Sequence, residues 1–363
     1  MRNVPVGSRL IGRDQPAFIV AEIGVNHQGR VDLAKALIDA AAEAGADAVK
    51  FQKRSVDRVL TREGQNAPYA SPHSFGRTYG EHRRALELSA EDYLLLKAHA
   101  EQKGLCFFAS AWDEESADFL EQLGVDVYKI ASPDLTNLPL CRHVARKGKP
   151  VIMSTGMSSL DEIARAVDCI RAYNTGLVLL HCVSVYPTQY ADVNLGFMET
   201  LRGLFDCPVG YSGHELGWAI PVAARALGAC VIEKHVTLDP RMRGGDHKFS
   251  LTPQELKEMT DNIRKVEAAL RPGEKRLLEA EAPFRAKLGK SLVAAAPIAR
   301  GQVITRRLLV CKSPGNGLSP LLIEEVLGKR ATRDIPADGM LTHEDVAWVS
   351  AEPRARVSQS AAS

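Results

Sequence analysis

The sequence predicts an α/β fold, a (β/α)8 barrel followed by a small β-rich domain. Three observations carry the barrel. From residue 17 to about 270, short apolar runs alternate with stretches whose apolar residues recur at helical spacing. Eight such strand-then-helix units in about 255 residues match the size of a closed barrel. No GxGxxG follows the first run, which removes the main sign of the competing doubly wound sheet.

The strands are expected at Phe18 to Ile23, Ala48 to Gln52, Leu105 to Ser110, Val127 to Ile130, Pro150 to Ser154, Leu177 to His181, Pro208 to Tyr211 and Val231 to Lys234. Segments such as VDLAKALIDAAAEAG and LDEIARAVDCIRAY supply helices between them, and the glycines of EAGAD and ALGAC stop those helices. The connection from Lys53 to Ala90 is long for a strand-to-helix loop. It mixes aromatic, basic and turn residues, and reads either as a closure over a ligand or as a decorated surface loop with a short helix around Tyr79 to Leu88. After the barrel, residues 271–290 are charged and proline-containing, a linker. From Ser291 short β-branched runs alternate with the turns ARGQ, PGNG and PADG, giving a β-rich domain. The domains are therefore 1–270, 271–290, 291–350 and a polar tail, 351–363, expected to be disordered.

Composition bounds the function. With 363 residues, 45% hydrophobic and 25% charged, the chain is an ordinary soluble protein, and a net charge of +2 implies no nucleic-acid partner. No run reaches the length of a membrane span or a signal-peptide core. The seven cysteines are scattered without a CxxC pair, which reads as a reduced, cytoplasmic chain.

In such a barrel, catalytic groups collect at the C-terminal ends of the strands. Those ends carry Glu22 and Asn26, Lys50 and Gln52, Ser110, Lys129 and Ser132, Ser154, Ser184 and Tyr186, Ser212 with His214, and His235. Lysines at 50 and 129 inside apolar strands need an anionic partner, and the serine hydroxyls add donors that suit a phosphate. A phosphorylated substrate follows; the alternative is a carboxylate such as Glu22 or Glu233. His214 and His235 end two successive strands and suggest a divalent metal with positions left open, against two unrelated rim histidines. Glu22 reads as a general acid or base, or a partner for a sugar hydroxyl. Asp246, on the GGDHKFS loop, could ligate a metal through water or orient substrate, while His181 and Cys182 read as packed residues.

These residues lie in motifs that resemble the sialic acid synthases, which condense phosphoenolpyruvate with an N-acylated amino sugar. The motifs are AEIGVNHQG, KFQK, TYGEHRRALELS, FFASAWD, YKIASPDLTNLPL, STGMSS, HCVSVYPT, GYSGHE, EKHVTLD and GGDHKFSL. GQVIT, KSPGNG and GKRATRDI resemble the antifreeze-like (SAF) domain those synthases carry, and PYASPHSFGRTYGEHRRALELS is most like the animal enzymes that make the 9-phosphate. The resemblance implies a transferase assembled as a domain-swapped homodimer, each small domain capping its partner's barrel. It also implies a divalent ion on His214 and His235, Mn2+ first and Mg2+ or Co2+ as substitutes. By the same resemblance, phosphoenolpyruvate is bound by Lys50, Gln52, Ser110, Lys129, Ser132, Ser154, Ser184 and Ser212. Glu22, Tyr186, Asp246 and Trp112 contact the sugar.

One position departs from the family's pattern. Ser313 stands where many bacterial members have an arginine that reads the N-acyl group, and a serine cannot reproduce a guanidinium fork; Asn316 or Lys312 is the expected substitute. Arg77, His82, Arg83 and Arg84 are candidates to receive a 6-phosphate on the sugar, the alternative being a solvated basic face. Competing functions are synthesis of a legionaminic- or pseudaminic-type acid from a diacetamido-trideoxy sugar, a 3-deoxy-ulosonate phosphate synthase, and a non-catalytic carbohydrate- or ice-binding protein.

Overall fold

A computed structural model describes residues 3–174, 176–271 and 273–348; the tail expected to be disordered lies outside the described residues. The chain forms two compact units, Met1–Arg271 and Pro272–Ser363.

The first unit opens with an antiparallel hairpin, β1 (Val4–Val6) and β2 (Arg9–Ile11), which the apolar pattern does not announce. Val4, Val6 and Ile11 are buried in the barrel's core cluster. The hairpin lies at the N-terminal ends of the strands: Arg9 pairs with Asp47, just before β4, and the backbone of Gly7 abuts Asp126, just before β6. It forms the barrel's floor.

Eight parallel strands follow: β3 (Phe18–Gly24), β4 (Ala48–Lys53), β5 (Cys106–Ala111), β6 (Tyr128–Ile130), β7 (Val151–Ser154), β8 (Leu177–Cys182), β9 (Val209–Gly213) and β10 (Val231–His235). They close in chain order, β10 pairing with both β9 and β3. The predicted (β/α)8 barrel is present, each strand within two residues of its expected bounds. Strands buried on both faces read as unbroken apolar runs, and here nearly every strand residue is buried.

Helices cover the outside and begin at caps written into the sequence. Ser89 with Asp92, Ser159 with Glu162 and Thr252 with Glu255 each form a reciprocal capping box, and losing such a cap costs about 1 kcal/mol. The segment between β4 and the helix Ala90–Gln102 is no bare loop. It holds three short helices, Val56–Val59, Arg62–Asn66 and Tyr79–Ala85, the last capped by Thr78 and Glu81. The Pro68–Thr78 bridge and the Tyr69 N–H to Arg77 carbonyl bond (3.0 Å) fold it back on itself.

The second unit has a separate core of Leu292, Ile298, Ile304, Leu309, Leu318, Val326, Ile335 and Leu341. Its regular pairing is one antiparallel ribbon, β11 (Ser291–Ala294) with β12 (Leu309–Lys312), plus isolated bridges. Part of the expected linker is helical, over Ala282–Leu288. Lys312 is engaged by Asp338, and the Ser313 hydroxyl donates to the Leu288 carbonyl (3.1 Å). Among the described residues no helix is long and apolar enough to cross a membrane.

Candidate active site

Strand register assembles the site. Parallel pairing sets Gln52 beside Ser110 and Ser110 beside Lys129, while Cys182, Ser212 and Glu233 form a second row. Glu22 stands between Lys50 and His235. A cavity of about 80 Å³ opens among these ends, lined by Glu22, Lys50, Gln52, Ser110, Trp112, Lys129, Ser132, Ser154, Tyr186, Ser212, His214 and His235. Ser184 is outside that lining but close by: a Cβ on Gly156 would collide with the hydroxyls of Ser184 and Ser132. Two further wall residues, Glu233 and Cys182, were read from sequence only as an alternative lysine partner and a packed thiol. Their position at strand ends was the available signal. His181 is buried and hydrogen-bonds the Val193 carbonyl at 2.6 Å.

The charges in this cavity correct one step of the sequence argument. Lys50 Nζ lies 2.6 Å from Glu22 and 3.9 Å from Glu233; Lys129 Nζ lies 3.4 Å from Glu233. Both lysines therefore have carboxylate partners, and their burial alone does not demand a phosphate. Lys50 also donates to Ser110 Oγ (3.2 Å), Lys129 to Ser154 Oγ (2.7 Å), and Ser212 to Glu233 (3.0 Å).

The two carboxylates differ. Burial pushes the Glu22 carboxyl above its ordinary range despite the pull of Lys50 and the Gln52 amide, which donates at 3.0 Å. Burial acts on Glu233 too, but Lys129 and Lys50 outweigh it and hold that carboxyl low. Glu22 is thus the group suited to carry a proton. Lys50 and Lys129 share these two carboxylates within one small cavity, and an incoming anion would compete for the same two lysines.

The His214 and His235 rings lie 5.5 Å apart between centroids. His214 Nδ1 faces the Val183 carbonyl at 3.0 Å, an arrangement that directs its other nitrogen outward as a ligand. His235 Nδ1 is buried with no hydrogen-bond partner, and Asp246 Oδ2 is 3.9 Å away. Tyr186 and Phe249 pack on these imidazoles. Among the described residues no three His, Cys, Asp or Glu side chains gather as a metal site. The imidazole pair with an unspent buried nitrogen fits a divalent ion whose remaining positions belong to water or substrate.

A second cavity of about 250 Å³ shares Gln52, Trp112, Tyr186 and His235 with the first. Its other walls are Tyr69, Phe75, His82, Arg83 and Leu86 from the folded-back segment, and Gly244 to Asp246. Asp246 thus lies in this outer chamber, where burial pushes its carboxyl up. The predicted basic quartet divides: His82 and Arg83 face the chamber, Arg77 is exposed, and Arg84 turns to Asp57 at 2.6 Å. Burial and Arg83 push the His82 imidazole down to about 4, so it is neutral. Arg54, absent from the sequence reading, lies buried with its guanidinium 4.4 Å over Trp112 and bonds to Glu87 and Gln52.

Residues 37–275 match the NeuB family and residues 289–347 match the SAF domain. The chain is 43% identical over 93% of its length to the human N-acetylneuraminate-9-phosphate synthase, covering 94% of that protein. It is 42% identical to the N,N'-diacetyllegionaminic acid synthase of Legionella pneumophila, over 92% of this chain and 96% of the other. Among solved structures, the N-acetylneuraminic acid synthetase of Leptospira borgpetersenii, in complex with citrate, matches with a TM-score of 0.69 and 34% identity, over 78% of this chain and 95% of the other.

Proposed function

The chain belongs to the NeuB family, and on that premise we propose that it is an N-acetylneuraminate-type synthase. It would condense phosphoenolpyruvate with N-acetylmannosamine or its 6-phosphate and release phosphate. The observation that carries the proposal is the inner cavity, where two buried lysines and a set of hydroxyls stand beside an imidazole pair. The proposal includes a transferase working as a homodimer, with the small domain capping a partner's barrel.

The chain's own groups account for most of the chemistry. Lys50, Lys129 and the hydroxyls of Ser110, Ser132, Ser154, Ser184 and Ser212 hold the carboxylate and phosphate of phosphoenolpyruvate without reorganisation. Gln52 fixes the Glu22 carboxyl, and Tyr186, Trp112 and Asp246 orient the sugar. His214 and His235 would hold the divalent ion, Mn2+ in the first instance, which when bound supplies Lewis-acid polarisation of the sugar's aldehyde oxygen. The enol carbon of phosphoenolpyruvate bonds to the aldehyde carbon, leaving positive charge at the former enol C2. Glu233 faces that region as a charged carboxylate. Water adds at C2, and the tetrahedral intermediate expels phosphate. Glu22, whose carboxyl burial pushes up, takes the proton that this water loses and passes it to the former aldehyde oxygen, which becomes a hydroxyl.

The test is product analysis. Protein with Mn2+ and phosphoenolpyruvate is offered N-acetylmannosamine, its 6-phosphate and a 2,4-diacetamido-trideoxy sugar, and products are read by mass spectrometry. A nine-carbon acid from either of the first two, with stoichiometric phosphate, is expected. Product from the third alone would shift the reading to the legionaminic type; no phosphate with any sugar would end it.

A further inference from the structure

The outer chamber contains a charge that the reading so far leaves unused. Arg83 lines it, and the guanidinium is held by a neutral group: Nε donates to the Tyr79 hydroxyl at 2.9 Å, and Cζ lies 4.9 Å from the Tyr79 ring centre. Among the described residues no carboxylate lies within ion-pair distance of it. Its neighbours on the loop are different. Arg84 is paired with Asp57, Arg54 with Glu87, and Arg58 with Glu115. The one carboxylate in the chamber wall, Asp246, is beyond ion-pair distance of Arg83 but feels its charge, and it lies 3.9 Å from the His235 imidazole, where the two cavities join. His82, beside Arg83, is neutral, its Nδ1 accepting from the Phe75 N–H at 3.0 Å.

The support under Arg83 is built. Tyr79 packs edge-on to Tyr69 at 5.4 Å, Tyr69 lies on His82 at 4.6 Å, and the Thr78–Glu81 box caps the short helix carrying all of them but Tyr69. An oriented guanidinium with no carboxylate at ion-pair distance and an open chamber before it is suited to a planar, two-pronged anion contact. The inner cavity, at about 80 Å³, suits the small three-carbon anion. The sugar falls to the outer chamber, its aldehyde end toward His235 and its far end toward the loop helix.

Resting on the proposed synthase reading, we infer that Arg83 is a specificity-determining residue that binds a phosphoryl group at the far end of the sugar, so that the preferred acceptor is a phosphorylated amino sugar and the product leaves as a phosphomonoester. Lysine at this place would keep the charge and lose the fork.

The experiment measures kcat/KM for N-acetylmannosamine 6-phosphate and for N-acetylmannosamine with saturating phosphoenolpyruvate, in the wild type, Arg83→Met and Arg83→Lys. The wild type is expected to favour the phosphorylated sugar. Arg83→Met should lower the preference ratio about 10- to 100-fold, as loss of a charged hydrogen-bonding partner does, mainly through KM for the phosphorylated sugar, with Arg83→Lys in between. A wild type indifferent to the phosphate, or a ratio unmoved in the soluble variants, overturns the role of Arg83. Absence of turnover with every sugar in the wild type would instead refute the synthase reading itself.

Discussion

Glu233 and Lys234 are neighbours on β10, both buried, and they serve opposite faces of the barrel wall. Glu233 turns inward, meeting Lys129, Lys50 and Ser212 around a cavity. Lys234 turns outward into a buried cluster. Its Nζ lies 3.2 Å from Glu215 Oε1 and also meets the Glu215 carbonyl, and Tyr211 donates to Glu215 Oε2 at 2.6 Å. Neither Lys234 nor Glu215 exposes any surface. In the outer cluster each polar group is answered by another within it. In the inner one Glu233 Oε2 and His235 Nδ1 have no hydrogen-bond partner. Buried charge does not mark a site; buried charge left partly unanswered beside an opening does.

The contrast can be broken from either side. The largest effect is expected at His235, the next inward residue of the same strand. His235→Ala should lower turnover by about 10³-fold or more, the scale of losing several kcal/mol of charge stabilisation, while circular dichroism and Tm stay near the wild type. Retained turnover would dissolve the functional half of the contrast. Lys234→Met should do the reverse. Leaving Glu215 buried and alone costs about 3–5 kcal/mol, read by denaturant unfolding, while turnover per folded molecule stays close to the wild type. Adding Glu215→Gln should restore part of that loss.

The smallest effect sharpens the comparison with a buried group that has no counter-ion. Burial pushes the His27 imidazole down to about 4. The folded chain then favours neutral His27, so its share of stability is complete above the ordinary value near 6.5 and is lost as pH falls toward 4, about 3 kcal/mol over that window. His27→Gln should flatten that part of the stability profile between pH 6.5 and 4.

The barrel was legible because parallel strands wrapped by helices are apolar throughout and end where polar residues begin, as Phe18–Gly24 and Val231–His235 show. The hairpin was not, since three-residue strands such as Arg9–Ile11 are too short to show a period. The four- and five-residue helices Val56–Val59 and Arg62–Asn66 escaped for the same reason. Strand-end residues could be located because their place depends on local register alone. Pairings could not. That Glu22 and Glu233, more than 200 residues apart, both bracket Lys50 follows only from barrel closure. The same reading that singled out Lys50 and Lys129 applies equally to Lys234, whose outward direction becomes visible only in the fold.

The hairpin of Val4–Val6 and Arg9–Ile11 has a kinetic consequence. With the N-terminal ends of the strands covered by its apolar residues, ligands approach from the C-terminal ends, where the 80 Å³ and 250 Å³ cavities adjoin and share Gln52, Trp112, Tyr186 and His235. Under the proposed reaction phosphoenolpyruvate and sugar use neighbouring chambers on one side of the barrel, so an excess of either should slow the entry of the other.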